Sequence, residues 1–251
     1  MRLYICNMIN LVIDIGNSFI KAGLFIDTNL QEVRSFEKNK YQSKIDRMLN
    51  EYHVNKVIVS QTGKLDEKWY ERLQNNVSVL KFDQKTKVPF ENLYETPQTL
   101  GLDRIALISA ATKLYPGKDV LIIDAGTCVT YDFINSKKQY HGGMISPGWK
   151  MRFEAMHEKT DKLPLLKSPE NLTIPGVSTA SAMYAGVVKG LIFEIDGFID
   201  TYKAAHSTVI PILTGGDSHR LSTQLKNDIF ANSNFLMHGL NTILEHNSFH
   251  D

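Results

Sequence analysis

Two short stretches constrain this chain more than anything else in it. Leu11 to Lys21 reads as an apolar run, the corner Asp14-Ile15-Gly16-Asn17-Ser18, and a second apolar run ending in lysine. About 110 residues later, Leu121 to Tyr131 repeats the pattern around Asp124-Ala125-Gly126-Thr127. Each predicts a buried strand, a tight turn at the glycine and a returning strand. A carboxylate at the strand's end, together with exposed backbone N–H groups and the side chains of Asn17, Ser18 and Lys21, suits a metal-bound polyphosphate. Two related corners predict two related domains, residues 1–117 and 118–251.

Composition narrows the partners. A chain of 251 residues can bury a sizeable core. A net charge of +1 gives no global field for nucleic acid or an anionic membrane, so a charged substrate has to be met locally. Cys6 and Cys128 are far apart and lack metal-ligand spacing, which argues against a disulfide framework or a zinc site and fits a reducing cytoplasm. The apolar stretch around Met1 to Cys6 is too short for a secretion signal, and Met8 is an alternative start just ahead of the first strand. The sequence has no apolar run long enough to span a membrane.

Along the chain, Leu11–Ile26 reads as the first hairpin and Glu32–Phe36 as a third strand, followed by a helix over Tyr41–Tyr52. Lys56–Ser60 and Val77–Phe82 read as strands flanking an amphipathic helix, Leu65–Asn75, with Trp69 and Leu73 inward. Thr86–Pro97 is a polar loop, and Gly101 opens a helix that runs to Leu114. In the second half, Val120–Asp124 and Val129–Ile134 form the second hairpin. His141–Gly148 is glycine-rich enough for backbone to approach a ligand, with Pro147 at the start of a helix. A long helix over Thr179–Ala204 carries Ala182, Gly186 and Gly190 at four-residue spacing. A strand at Val209–Leu213 leads to the turn Thr214-Gly215-Gly216-Asp217, and two short helices finish the chain. The three strand-end corners suit the polyphosphate, its cation and the adenosine of ATP respectively.

These residues carry a resemblance. Asp14-Ile15-Gly16-Asn17-Ser18 with Lys21, Thr96-Pro97 through Gly101-Leu102-Asp103-Arg104, and Asp124-Ala125-Gly126-Thr127 come in that order. They are followed by Gly142-Gly143-Met144-Ile145-Ser146-Pro147-Gly148, Ser178-Thr179 and Thr214-Gly215-Gly216-Asp217. In that order they resemble the type III pantothenate kinases, of the acetate and sugar kinase/Hsp70/actin superfamily. The resemblance implies an α/β fold of two similar ribonuclease H-like, actin-like domains with mixed sheets and an ATP cleft between them. It also implies phosphorylation of pantothenate by ATP, the first step of coenzyme A synthesis, in a cytoplasmic homodimer that uses potassium or ammonium and Mg2+ with ATP.

Carried over residue by residue, Asp14, Ile15, Gly16, Asn17, Ser18, Phe19, Ile20 and Lys21 would form the first ATP corner. Thr127 would contact ATP in the second, and Asp124 would bind the monovalent cation. Tyr94, Gly101, Leu102, Asp103, Arg104 and Thr179 would line the pantothenate site, with Asp103 as proton acceptor. Each has a plainer reading: Asp14 and Asp124 as turn aspartates, Asp103 as a first-turn carboxylate favoured by the helix dipole, Arg104 as a surface ion-pair partner, Thr179 as a helix cap and Tyr94 as loop packing. Two other functions stay open at this point: a ligand-sensing regulator of the same fold, and a sugar or acetate kinase of the superfamily.

Overall fold

The computed structural model describes residues 8–16, 19–61, 63, 66–167 and 174–248, and the account below concerns these. Asn17 and Ser18 of the first corner, and Cys6, lie outside them. The elements run β1 (Ile9–Ile15), β2 (Ile20–Ile26), β3 (Asn29–Phe36), α1 (Tyr41–Tyr52), β4 (Lys56–Gln61), α2 (Glu67–Asn76), β5 (Ser78–Lys81), β6 (Glu91–Asn92) and α3 (Leu102–Leu114). They continue as β7 (Val120–Ala125), β8 (Cys128–Ile134), β9 (Gln139–Pro147), α4 (Trp149–Glu158), α5 (Thr179–Tyr184), α6 (Gly190–Ala205), β10 (Ile210–Thr214), α7 (Ser218–Ser222), β11 (Phe230–Ala231) and α8 (Phe235–Ser248).

The chain divides into two compact units, Met1–Glu91 with Glu95–Leu114 and Asn234–Asp251, and Asn92–Tyr94 with Tyr115–Ser233. The sequence reading set one boundary at residue 117; the contacts group the last helix with the first unit. That helix is also no short one, running fourteen residues.

In the first unit the strand order is β3-β2-β1-β4-β5, with β1 antiparallel to β2 and parallel to β4. β1 is the middle strand. Its Leu11, Val12 and Ile13 are fully buried, as a strand covered on both faces requires. α1 contributes Tyr41, Ile45 and Met48 at helical spacing, and α2 contributes Trp69, Tyr70 and Leu73. The Asp66 side chain caps α2 by accepting from the Trp69 amide at 3.1 Å. Trp69 packs edge-on against Tyr41 and donates its indole N–H to Asp46 at 3.0 Å. α3 is buried from Arg104 through Thr112, more than the one apolar face expected from its sequence. The extra cover comes from α8, whose Gly239 approaches the Ala106 carbonyl so closely that a Cβ would overlap it.

The second unit repeats the first. Its sheet runs β11-β10-β7-β8-β9-β6, so β9-β8-β7-β10-β11 matches β3-β2-β1-β4-β5 strand for strand, in order and direction. The register irregularities also coincide. One falls at Leu24/Phe25, three residues past the partner of Asp14; the other falls at Phe133/Ile134, three past the partner of Asp124. The core of this unit sets Leu121, Ile123 and Tyr131 against Phe153, Leu191, Ile195 and Ile199.

His141–Pro147 belongs to strand β9, where Gly143 fits because a Cβ would run into the Tyr131 carbonyl of the neighbouring strand. Two local expectations differ from the structure, both at helices. Pro147 closes β9 and Gly148 caps α4, so the proline is not in the helix's first turn. The long helix is interrupted: α5 passes through a π-helical turn, Ala185–Lys189, before α6 begins.

Candidate active site

In the first unit, Asp14 ends β1 opposite Lys21 on β2 and beside Ser60 on β4. The Ser60 hydroxyl, itself buried, hydrogen-bonds the Asp14 carboxylate. The turn is closed by the Gly16 amide donating to the Phe19 carbonyl at 3.1 Å. The Gly63 amide donates to the Ile15 carbonyl at 2.8 Å, and a Cβ on Gly63 would sit 2.5 Å from the Gly16 carbonyl oxygen. Ile15 and Ile20 are core residues, whereas Phe19 is exposed. They shape the hairpin and leave its polar chemistry to Asp14, Lys21 and the backbone.

Asp103 stands exposed in the first turn of α3, where the helix dipole favours a carboxylate. One oxygen accepts from the Arg104 amide at 2.8 Å. Its charge is felt at Asp14. Burial pushes the Asp14 carboxyl up to about 6; Lys21 and Ser60 pull it down, and Asp103 adds to the rise. Gly101 and Leu102 lead into α3, and the Gln84 side-chain amide holds this junction by donating to the Leu100 carbonyl at 2.7 Å. Arg104 is 5% exposed, which removes the reading of it as a surface ion-pair partner.

In the second unit, Asp124 ends β7 opposite Thr130 and beside Thr214. Thr127 is exposed at the turn, whose Gly126 amide donates to the Cys128 carbonyl at 2.9 Å. Here the Asp217 amide donates to the Ala125 carbonyl at 3.0 Å, the counterpart of Gly63 on Ile15. Gly215, at φ +92, lies against the Ala125 carbonyl and an Asp124 carboxylate oxygen, leaving no room for a side chain. Asp124 and neighbouring carbonyls are hard oxygen donors, a set that suits potassium or magnesium. Among the described residues there is no cluster of three or more His, Cys, Asp or Glu side chains that could hold a metal ion.

Tyr94 and Thr179 also lie in the second unit. The Tyr94 ring is 6.0 Å from that of Tyr140 and packs against Gly142. Thr179 is the first residue of α5 and exposed; the cap is Ser178, which accepts from the Ser181 amide in a reciprocal capping box. Thr179 is therefore not needed as a cap. An open cleft of about 740 Å³ lies beside Gly216 and Asp217, lined by Trp149, Lys150, Lys167 and Arg220. The Arg220 guanidinium stacks 4.5 Å over the Trp149 ring, and the Trp149 indole donates to Asp217 at 2.7 Å.

A family model of type III pantothenate kinase matches residues 10–201. The chain belongs to that family. The type III pantothenate kinase of Flavobacterium johnsoniae is 43% identical over 231 residues, 92% of this chain and 95% of its own length. That of Christiangramia forsetii is 45% identical over 239 residues, 95% and 98% of the two chains. The fold is similar to that of a glucokinase from an Antarctic psychrotroph, with a TM-score of 0.52 at 8% identity, covering 95% of this chain and 99% of the other. The chain is thus a phosphotransferase of α/β fold, built on two mixed sheets of five and six strands.

The sequence reading singled out Asp217 in its third corner but passed over Ser60, Gly63 and the two residues grouped with Asp217, Trp149 and Arg220. Ser60 carried one available signal: it is a hydroxyl at the end of an apolar strand, at the position that Thr214 holds in the repeat.

Proposed function

We propose that this chain transfers the γ-phosphoryl group of ATP to the pantothenate hydroxyl, giving 4'-phosphopantothenate and ADP, the first step of coenzyme A biosynthesis. The observation that carries the site assignment is Asp103, exposed at the head of α3 and close enough to Asp14 to raise its pKa. As the hydroxyl oxygen bonds to phosphorus and the bridging P–O bond of ATP breaks, Asp103 takes the hydroxyl proton, a role worth about 10²–10⁴-fold in rate.

In this reading Asp14, Ile15, Gly16, Asn17, Ser18, Phe19, Ile20 and Lys21 cradle phosphate in the first unit, and Thr127 does so in the second, each unit being one actin-like half. Tyr94, Gly101, Leu102, Arg104 and Thr179 hold pantothenate, Arg104 supplying a fork for a carboxylate or phosphoryl oxygen. Asp124 holds potassium or ammonium, and magnesium accompanies ATP. When bound, these cations supply charge neutralisation. The reaction takes place in the cytoplasm.

A homodimer completes the proposal. The helical rod from α5 to α6 turns Ala182, Gly186, Phe193 and Gly197 outward; a Cβ on Gly186, Gly190 or Gly197 would meet nothing, and Phe193 is 66% exposed. Packing among the described residues does not explain those glycines, and an exposed aromatic among them suits a second copy.

A coupled ADP-release assay with pantothenate, glucose and acetate as acceptors, in potassium and magnesium, tests the reaction. ADP release only with pantothenate supports it. Turnover that ignores pantothenate overturns it, as does no turnover at all.

A further inference from the structure

We infer that Glu194 is a positioning residue for the Thr127 corner, acting through Arg152 and the backbone of Pro147 and Gly148. The inference rests on the reading that Thr127 receives ATP.

The corner has a backbone backing. The Gly148 amide donates to the Thr127 carbonyl at 3.0 Å, and a Cβ on Gly148 would overlap the carbonyl oxygens of Gly126 and Thr127. No side chain pads this contact, so a shift of Gly148 moves Thr127 directly. Pro147 and Gly148 are held in turn from α4. Arg152 donates from Nε to the Pro147 carbonyl at 2.8 Å, while its amide donates to the Gly148 carbonyl at 3.0 Å.

What holds Arg152 is Glu194 on α6. Arg152 Nη2 reaches Glu194 Oε2 at 2.6 Å. The other oxygen, Oε1, accepts from the Tyr131 hydroxyl at 2.8 Å and from the Ser146 hydroxyl at 2.5 Å. Both carboxylate oxygens are therefore engaged, by groups from β8, the end of β9 and the first turns of α4. Burial opposes ionisation of Glu194, but the bonds from Arg152, Ser146 and Tyr131 outweigh it and hold the carboxyl below its ordinary range. Burial, with the Glu194 carboxylate, pushes the Tyr131 hydroxyl up, so it stays a donor.

The geometry does more than stabilise the fold. The pair is half-buried, its side chains 22% and 24% exposed. Arg152 reaches both residues that back the turn, Pro147 with its guanidinium and Gly148 with its backbone amide. A planar fork is the group suited to gripping a carboxylate with one nitrogen and a carbonyl with another. Small displacements at such a support cost a disproportionate share of ligand alignment.

The test uses Glu194→Gln and Arg152→Lys in the full-length protein. ATP dissociation constants are measured by calorimetry without acceptor, then KM for ATP and for pantothenate, with melting temperatures alongside. Gln keeps an acceptor for Tyr131 and Ser146 but loses the ion pair; Lys keeps the charge but loses the bond from Nε to Pro147. Each variant should weaken ATP about tenfold, leave KM for pantothenate within about twofold, and melt within a few degrees of the parent. The double variant should be no weaker than either single one, because both break the same linkage. Unchanged ATP affinity in folded variants overturns the proposal, and so does an equal rise in both KM values. If Glu194→Gln fails to fold, Arg152→Lys decides alone. A parent that binds ATP but ignores pantothenate overturns the proposed reaction and leaves this test intact, since binding is read without acceptor.

Discussion

Asp103 at the head of α3 faces Asp14 at the end of β1 closely enough for its negative charge to add to the effect of burial, which carries the Asp14 carboxyl to about 6. The sign of the linkage follows. The unfolded chain titrates this group near 3.8, so between 3.8 and about 6 the native state holds more protons. Its contribution to stability is full below the lower value and lost as pH rises through the upper one. Asp14→Asn should therefore raise unfolding stability at pH 7.5 by about 2 kcal/mol more than at pH 4. Urea titrations of parent and variant at both pH values measure the difference. A pH-independent offset would mean that Asp14 titrates like any exposed carboxyl.

Asp103→Asn keeps the shape of the side chain and the acceptor for the Arg104 amide, but it cannot take a proton. Turnover should fall about 10²–10⁴-fold. ATP affinity should hold or improve slightly, because the charge opposing an anion beside Asp14 is gone. Single-turnover rates with saturating pantothenate, set beside calorimetric ATP binding, separate the two effects. Parental turnover would remove Asp103 from the chemistry.

The doubled architecture was legible because its punctuation is local: an acid and a glycine at the end of an apolar run mark the same corner twice, and the sheets that grow from Asp14 and Asp124 share one strand order. Helices α1 and α2 were legible too, since one face of each is buried and their periodicity is clean. α3 was less so, because a helix covered all round has no polar face to fix its orientation. Its cover, α8, lies more than a hundred residues away in sequence, and no local pattern assigns it to the first unit. His141–Pro147 was ambiguous for a different reason: glycines that admit a neighbouring strand read the same as glycines that admit a ligand. Ser60 and the Arg152–Glu194 pair are long-range contacts made by ordinary polar residues, and only the folded chain brings them together.

Gly63 backs the first corner as Gly148 backs the second. Its amide already donates to the Ile15 carbonyl, and a Cβ would fall 2.5 Å from the Gly16 oxygen and 3.3 Å from the Ile15 oxygen. Neither atom can yield without moving the hairpin. Gly63→Ala should cost about 1–3 kcal/mol of stability and raise KM for ATP, leaving KM for pantothenate nearly unchanged. Chemical denaturation and initial-rate kinetics report on the two consequences. A neutral substitution in both would show that the β4 turn is not in contact with the corner in solution.

The outward glycines of the π-helical turn and α6, Gly186 and Gly197, distinguish an interface from a solvated helix. Gly186→Leu adds bulk where nothing among the described residues opposes it, so the monomer should keep its fold. In a dimer built on this face the added side chain has to displace the partner. Light scattering should show the parent at about twice the chain mass and the variant shifted toward one chain, with circular dichroism unchanged. A parent that runs as a single chain would end the dimer reading, and a variant that still dimerises would move the interface to another face.

Asp124 occupies in the second unit the place of Asp14 in the first, but its setting differs. No lysine stands opposite; its partners across the sheet are Thr130 and Thr214, and Gly215 packs directly against its carboxylate and the Ala125 carbonyl. A carboxylate among hydroxyls and carbonyls suits a weakly hydrated monovalent cation better than a lysine does. Asp124→Asn preserves the size of the side chain and removes its charge. The potassium concentration giving half-maximal activity should rise about tenfold or more, while the magnesium optimum moves little. Initial rates over a potassium titration at constant ionic strength, balanced with a bulky organic cation, measure this directly. An unchanged potassium response would place the ion elsewhere, and a loss of magnesium dependence instead would assign Asp124 to the cation that accompanies ATP.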